Sequence, residues 1–344
     1  MEKKNKNIVW MILFPILAIL TVWLVISSSK DFSWPAFLRY VATMKPGWLV
    51  AAVLSMLMFI AAEGMSYRFI CKRLGYKTRL DQCLTWSAAD IFFSALTPSA
   101  TGGQPATAIL MMRSGIPGAT CSVVLLLNLV MYTLVILIIS PVAIAICPNV
   151  FNMFGPLSKI LVGAGFAIQL VLSLFFVFLI LRDKLIWRIA DGALSLLEKV
   201  RIIRKKGKYR KILADKMPEY RACVELGSKD PKLILGAFGF NLLQRVSLLL
   251  VPVCIYLGTG GTLQGAPAAF GVQSCVVLGS NVAPLPGAMG VVDYLFLDGY
   301  SKLTPNTVSM ALLSRGISFY GCFALCGLII LVSRIIIGVR NKEK

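Results

Sequence analysis

One ten-residue stretch, Leu96-Thr97-Pro98-Ser99-Ala100-Thr101-Gly102-Gly103-Gln104-Pro105, interrupts an apolar part of the chain with two prolines and two glycines. Proline stops a helix because its ring clashes with the preceding turn, and glycine permits the backbone to reverse. The apolar residues on both sides therefore predict two short helices joined by a tight break. At membrane depth such a break must be buried in protein or line a wet cavity, because lipid cannot satisfy its free N–H and C=O groups.

A second break of the same chemistry occurs at Asn281-Val282-Ala283-Pro284-Leu285-Pro286-Gly287-Ala288-Met289-Gly290-Val291-Val292-Asp293. In both motifs a helix begins after the glycines, and a helix N-terminus attracts anions such as a lipid phosphate. Ser99, Thr101 and Gln104 could add hydrogen bonds to a ligand; the alternative is a structural hairpin whose hydroxyls cap the helix ends. Asp293 lies in the first turn of its helix, where a purely capping role is the alternative.

The composition identifies the surroundings of both breaks as membrane. Of the 344 residues, 58% are hydrophobic and 15% are charged, and the mean hydropathy is +0.80. Soluble domains contain about 25% charged residues. Six apolar segments are long enough to span a bilayer, namely Ile8–Ser27, Trp48–Ile70, Ala119–Cys147, Ile160–Leu181, Leu233–Leu257 and Val308–Ile337.

The distribution of lysine and arginine predicts the orientation of these segments. Basic residues occur at both termini, in residues 71–81 and, fifteen in number, in residues 182–232. Residues 147–157 and 258–264 contain none. Because cytoplasmic loops carry the excess of basic residues, we expect a multi-pass protein of the cell membrane with both termini in the cytoplasm.

This orientation requires two stretches to enter the membrane and return on the side they came from. Cys83–Met112 must do so from the cytoplasm and Ala266–Tyr300 from the exterior, and each contains one of the two breaks. Broken hairpins that enter from opposite faces are typical of an inverted repeat with its site near the midplane. We therefore predict an all-α integral membrane protein of six full spans and two re-entrant broken-helix hairpins. It forms one polytopic domain, 1–344, with a first repeat at 48–181 and a second at 233–337.

The loop between the repeats, 182–232, has its own pattern. Apolar residues recur at helical spacing among its lysines and arginines between Ile186 and Val200. This predicts a basic amphipathic helix that lies on the inner leaflet and contacts anionic lipids, with docking of a partner protein as the alternative. The net charge of +20 is explained in the same way, and we expect no nucleic-acid partner.

Six ionisable residues lie inside the apolar segments: Glu63, Arg68, Asp90, Arg245, Asp293 and Arg315. Such residues are costly in hydrocarbon and usually face the interior of the bundle, paired or hydrated. Arg68 is near a cytoplasmic end and is expected to extend its side chain to the interface. Arg315 is near the outer face. Its side chain could extend to the interface as well, or it could point into the bundle.

Arg245 differs because it lies near the middle of its span, with Gln244 beside it and Asn241 one turn earlier. We expect it either to contact a lipid headgroup or to pair with Asp90 or Asp293. The residues predicted to contact a substrate are Pro98, Ser99, Thr101, Gly102, Gly103, Gln104, Arg245, Pro286, Gly287, Gly290 and Asp293. The predicted supporting residues are Glu63, Arg68, Asp90, Gln244 and Arg315.

The sequence lacks the residues and motifs that several kinds of catalytic, metal and nucleotide sites require. The chain has no histidine, none of its nine cysteines form a C-x-x-C pair, and neither G-x-S-x-G nor G-x-x-x-x-G-K-[ST] occurs. We therefore expect no metal, no cofactor, no catalytic residue and no disulfide framework.

The two breaks also carry a family resemblance. T-P-S-A-T-G-G-Q-P at 97–105, followed by an apolar run and R-S-G-I-P at 113–117, and P-L-P-G-A-M-G-V-V-D at 284–293 resemble the lysylphosphatidylglycerol synthase transmembrane family. The resemblance extends over about Ile8 to Ile337. It implies the flippase-like module of bifunctional phosphatidylglycerol lysyltransferases, in which a polar residue usually follows the second break, as Asp293 does here. The synthases append a soluble aminoacyl-transfer domain, whereas this sequence ends seven residues after Ile337, so lysyl transfer by this chain is not expected.

Three hypotheses follow. The first is a lipid flippase or lipid-handling transporter for an anionic, aminoacylated or polyprenyl-phosphate lipid. In it the helix N-termini near Gly103 and Gly287 hold the phosphate of a membrane phospholipid and Arg245 offsets its charge. The second is a phosphatidylglycerol lysyltransferase, which confers resistance to cationic peptides, or a membrane subunit of one. The third is a scaffold that transports nothing. No ATP motif is present, so an ion gradient or passive scrambling is left as the driving force.

Overall fold

The computed structural model describes residues 34–181, 188, 191–192, 195, 206–283 and 285–342. Within these residues the regular structure is helical throughout, which confirms the all-α membrane class. The α-helices are α1 (Trp34–Thr43), α2 (Pro46–Arg73), α3 (Leu80–Leu96), α4 (Gly103–Arg113), α5 (Gly118–Ile146), α6 (Asn149–Met153), α7 (Pro156–Leu181), α8 (Lys206–Ser228), α9 (Pro231–Gly258), α10 (Ala266–Ser280), α11 (Val291–Tyr300), α12 (Thr307–Arg315) and α13 (Cys322–Lys342).

Five of the six predicted spans correspond to helices that are long and apolar enough to cross a membrane, and the sixth, Ile8–Ser27, lies outside the described residues. The five are Pro46–Arg73, Gly118–Ile146, Pro156–Phe178, Pro231–Gly258 and Thr307–Ser333. The last one is not a uniform α-helix, which the sequence did not predict. A π-helical segment, Gly316–Gly321, joins α12 to α13 directly after Arg315, and such segments are frequent at functional sites.

Helices α2 and α9 pack along each other and run antiparallel. At one end of the pair, the backbone N–H of Lys45 donates to the carbonyl oxygen of Gly258 over 3.0 Å. At the other end Arg73, the last residue of α2, forms a salt bridge of 2.5 Å with Asp230, the N-cap of α9. Asp230 also accepts the backbone N–H groups of Lys232 and Leu233, because the first turn of a helix has no internal acceptors for them. Polar contacts therefore close both ends of the seam between α2 and α9.

Each predicted re-entrant stretch forms a helical hairpin. Helices α3 and α4 are joined by a break at 97–102, and α10 and α11 by a break at 281–290. Helices α4, α10 and α11 have 11, 15 and 10 residues, so at 1.5 Å per residue none extends beyond about 23 Å, short of the roughly 30 Å of a bilayer core. The two breaks, which we call the hairpin tips, contact each other.

The core around the hairpins explains their position. Helix α10 packs against α5, α7, α9 and α11, and Gly165 of α7 lies so close to the carbonyl of Leu278 that no side chain fits there. Helix α3 packs against α13, where the rings of Phe92 and Phe323 stack with centroids 4.4 Å apart. Small residues permit such close approach of helices in a membrane protein. The hairpins are therefore held inside the bundle.

The loop between the predicted repeats contains one described helix, α8. It packs against α5 with Met217, Tyr220 and Cys223 buried. The amphipathic helix predicted between Ile186 and Val200 lies largely outside the described residues. What the structure adds is that the second half of the loop is attached to the bundle.

Candidate functional site

The two hairpin tips bring the predicted motifs together. Each tip contains a single turn of 3₁₀-helix, Pro98–Ala100 in the first and Pro286–Ala288 in the second. Ser99 and Gly287 have φ of 52° and 60°, in the left-handed region that glycine adopts most easily. In the first tip the hydroxyl of Thr97 accepts the N–H of Gly102 over 2.8 Å, which closes the turn. The side chains of Ser99 and Thr101 lie on the exposed side of this tip.

Asp90 is the polar centre of the first hairpin. Its Oδ2 accepts the hydroxyl of Tyr67 over 2.5 Å and the side-chain amide of Gln104 over 3.0 Å. Ser94 donates to Oδ1 over 3.3 Å. Asp90 is only 5% exposed. Gln104, predicted to contact a substrate, therefore makes its hydrogen bond to a carboxylate of the protein.

This carboxylate lies at the N-terminus of α4. A Cβ built on Gly103, the first residue of α4, would collide with Oδ1 of Asp90 and with the hydroxyl of Ser94. Only glycine fits there. The positive end of the α4 dipole therefore faces an anion that the protein itself supplies. A lipid phosphate at this N-terminus would have to approach next to that carboxylate.

A second buried acid adjoins the first. Glu63 on α2 is 6% exposed, and its Oε2 accepts the hydroxyl of Ser87 over 3.0 Å. The hydroxyl oxygen of Tyr67 is 3.3 Å from Oε1 of Glu63 as well as 2.5 Å from Asp90. Tyr67 thus lies between two carboxyl groups on different helices.

The second tip is built around an ion pair. Nε and Nη2 of Arg315 donate to the two carboxylate oxygens of Asp293 over 2.8 and 3.0 Å, and Nη1 lies 3.4 Å from the carbonyl of Gly287. The backbone N–H of Gly290, whose φ is 83°, donates to Asp293 over 3.1 Å. Asp293 therefore caps α11. The side chains of Arg315 and Asp293 are 13% and 8% exposed, so Arg315 points inward and does not extend to the interface.

Arg245 is buried without an acidic partner among the described residues. It is 2% exposed, and its guanidinium carbon lies 3.1 Å from the ring centroid of Tyr132 on α5. Its Nε and Nη2, like Oε1 of the adjacent Gln244, have no hydrogen-bond partner in the described part of the chain. The pairing with Asp90 or Asp293 that the sequence left open is not formed.

The remaining predicted residues either lie away from the buried polar side chains described above or shape the backbone of a hairpin tip. Arg68 is exposed on α2, as expected for a residue at a membrane interface. Pro98 and Pro286 each begin the short 3₁₀ turn of their tip. Asn241 donates to Asn128 over 2.9 Å and to the hydroxyl of Ser66 over 3.2 Å, so one turn before Gln244 the polar face of α9 is joined to α2 and α5.

Sequence reasoning missed two aromatic residues. Tyr67 is one helical turn after Glu63, and that spacing on the same face was a usable signal. Tyr132 lies in an apolar run and contacts Arg245 only through the packing of α5 on α9, so nothing in the sequence indicated it.

Comparison with known proteins agrees with this architecture. The family model described as the lysylphosphatidylglycerol synthase TM region matches residues 11–326. The chain is also similar to a UPF0104 membrane protein of Archaeoglobus fulgidus, with 22% identity over 263 residues, which is 76% of this chain and 78% of that protein. Residues 11–326 include both hairpins and the buried side chains of Glu63, Asp90, Arg245, Asp293 and Arg315. The chain therefore belongs to the lysylphosphatidylglycerol synthase TM region family.

Proposed function

We propose that this protein moves a phosphate-bearing lipid between the leaflets of the cell membrane. The observation that carries the proposal is the meeting of two broken hairpins inside the bundle, beside buried and charged side chains. Non-helical backbone and ionisable groups at this depth are costly unless they are buried and paired within the protein or line a wet pathway. In secondary transporters, broken helices of this kind form the substrate site at the interface of two repeats.

Arg245 is the proposed contact for the lipid phosphate. Nε and Nη2 lie on one edge of a guanidinium and together bind a carboxylate or phosphate through two parallel hydrogen bonds. Arg315 uses these two atoms to hold Asp293. In Arg245 the same two atoms have no partner among the described residues. The first tip adds Ser99 and Thr101 on its exposed side, and the alternation of access is assigned to movement of the tips past each other.

The surrounding assignments belong to the same proposal. The two halves, 48–181 and 233–337, are inverted repeats, both termini face the cytoplasm, and the basic loop 182–232 contacts anionic lipid of the inner leaflet. The antiparallel packing of α2, which begins the first half, and α9, which begins the second, supports the inversion.

A translocation assay in proteoliposomes tests the proposal. Fluorescent phosphatidylglycerol is incorporated into both leaflets, and a membrane-impermeant reductant then quenches the outer leaflet. With the protein present, the protected fraction should disappear as inner-leaflet probe reaches the outside. Arg245→Gln should preserve the protected fraction. Arg68→Gln is the control, because it removes an exposed arginine in the same way, and it should behave like the wild type. If quenching in proteoliposomes with the wild-type protein had the same kinetics as in protein-free liposomes, the proposal would be refuted.

A further inference from the structure

Two buried carboxyl groups, Glu63 and Asp90, lie on either side of one phenol. The hydroxyl of Tyr67 lies within hydrogen-bonding distance of both. A phenol has one proton, so it can donate to one of them only, and the contact with the other is satisfied when that carboxyl group donates instead. Both contacts of the phenol are therefore satisfied when the pair of carboxyl groups holds one proton.

Arg245 supplies the independent observation. It is 2% exposed, and its Nε and Nη2 have no partner in the described part of the chain. A buried guanidinium edge of this kind points to an oxyanion as its ligand. The hydrogen bond from Asn241 to Ser66 sets the register of α9 on α2. Glu63 and Arg245 each lie about one turn from that contact and toward the same end, because the two helices are antiparallel. The oxyanion site and the carboxyl pair are therefore neighbours.

The other groups that bond to the pair come from three helices. Helix α2 contributes Tyr67, α3 contributes Ser87 and Ser94, and α4 contributes Gln104. Arg315 is engaged by Asp293 at the other tip. Arg245, on the facing turn of α9, is thus the arginine whose charge a bound oxyanion would neutralise.

We propose that Glu63 and Asp90 form a proton-binding site, and that a proton binds there together with the oxyanion held by Arg245. The proposal rests on the proposed function, since it uses the same arginine. With the guanidinium free, its positive charge stabilises a negative charge on Glu63. Once a phosphate binds the guanidinium, that stabilisation is lost and the pair lowers its own charge by taking up a proton. The lipid and the proton then move together, and a proton gradient can drive the lipid.

Linkage makes the coupling measurable from both sides. If the oxyanion promotes proton binding, protons must promote oxyanion binding by the same factor. The Kd for a phosphate-bearing lipid should therefore fall as the pH falls. With one proton taken up per lipid, Kd changes by up to about tenfold per pH unit within the titration range.

The experiment uses the full chain in nanodiscs of neutral lipid and a fluorescent short-chain phosphatidylglycerol as the probe. Kd is measured across the pH range, and proton uptake is followed with an indicator dye in weak buffer when the probe is added. We expect uptake by the wild type and a Kd that tightens toward low pH. Glu63→Gln and Asp90→Asn should each lose the pH slope and the uptake. Asp81→Asn, an exposed acid of α3, should retain both.

The outcomes separate this proposal from the proposed function. A wild-type Kd that does not change with pH, or the loss of the slope in Asp81→Asn as well, overturns the proton site. Loss of coupling when sodium is replaced by choline would show a metal cation at the pair and would equally overturn it. Because the uptake measurement on the wild type needs no variant, misfolding of Glu63→Gln leaves the test intact. Translocation that is independent of pH would leave the proposed function standing, whereas pH-linked binding without translocation would remove the proposed function alone.

Discussion

Arg315 and Asp293 form a two-pronged ion pair at the second hairpin tip, with Nε and Nη2 of the arginine 2.8 and 3.0 Å from the two carboxylate oxygens. Both side chains are largely buried. The pair joins α12 to the first turn of α11, and Arg315 also reaches the carbonyl of Gly287 in the tip itself. This arginine is therefore a structural counterpart to Arg245, in which the same atoms have no partner among the described residues.

The first prediction concerns the stability of the Arg315–Asp293 pair. Arg315→Gln should lower the free energy of unfolding by about 3–5 kcal/mol, because Asp293 is left buried without its counter-charge. Asp293→Asn in the same protein should restore much of the loss. Thermal unfolding in detergent of both single variants and the double variant measures the interaction energy. Additive losses would show that the two residues do not stabilise each other.

The second prediction concerns Arg245. Arg245→Gln should fold, with a loss of about 1–2 kcal/mol from the contact with Tyr132, and should lose both translocation and the anionic lipid that copurifies. Arg245→Lys keeps the charge without the two-pronged geometry and should restore activity in part. Native mass spectrometry identifies the lipid, and Arg68→Gln is the matched control. Unchanged transport and lipid content in Arg245→Gln would place the residue outside the pathway.

The third prediction concerns the glycines of the tips. Gly103→Leu and Gly287→Leu should abolish translocation while the protein still inserts into the membrane. A side chain on Gly103 collides with Asp90, and a Cβ on Gly287 would lie 2.5 Å from the ring of Phe319 at a φ of 60°. Strain of about 1–3 kcal/mol is expected from the unfavourable φ of Gly287 alone.

The glycine variants have a matched control in α7. Gly163 has no atom within 4 Å of the position of its missing Cβ, so Gly163→Leu should retain activity. Insertion and monodispersity are checked by membrane fractionation and size-exclusion chromatography. Wild-type transport in both tip variants would mean that the breaks are ordinary loops.

The fourth prediction concerns topology. Single cysteines replacing Arg73 and Arg204 should react with a membrane-impermeant thiol reagent only from the cytoplasm. Cysteines replacing Asn152 and Gly260 should react only from outside, in a background without the nine native cysteines. A Cβ at Gly260 would meet no atom within 4 Å, and its φ of 101° adds strain of about 1–3 kcal/mol, so insertion of this variant is checked first. Labelling of Gly260→Cys from the cytoplasm alone would contradict the inverted repeat.

The sequence predicted the helices and the breaks because both depend on local chemistry. Apolar length determined the spans, and Pro98 and Gly103 determined where the first hairpin turns. The pairing of charged residues was not predictable in the same way. Asp293 and Arg315 are 22 residues apart and meet only because α12 packs on α11. Which arginine takes that acid depends on how each helix is rotated in the bundle, and no periodicity in one segment encodes it.

The seam between α2 and α9 has a consequence for how the protein is made. Arg73 and Asp230, which close one of its ends, are 157 residues apart in the chain. Lys45 and Gly258, at the other end, are farther apart still. During synthesis α2 is made and inserted before α9, so the contacts between them cannot form until α9 has been made. Domains fold in the order in which they emerge, and contacts of long sequence separation form late. The residues before α8 should therefore be degraded when expressed alone, and supplying the segment from α8 onward as a separate chain should rescue them.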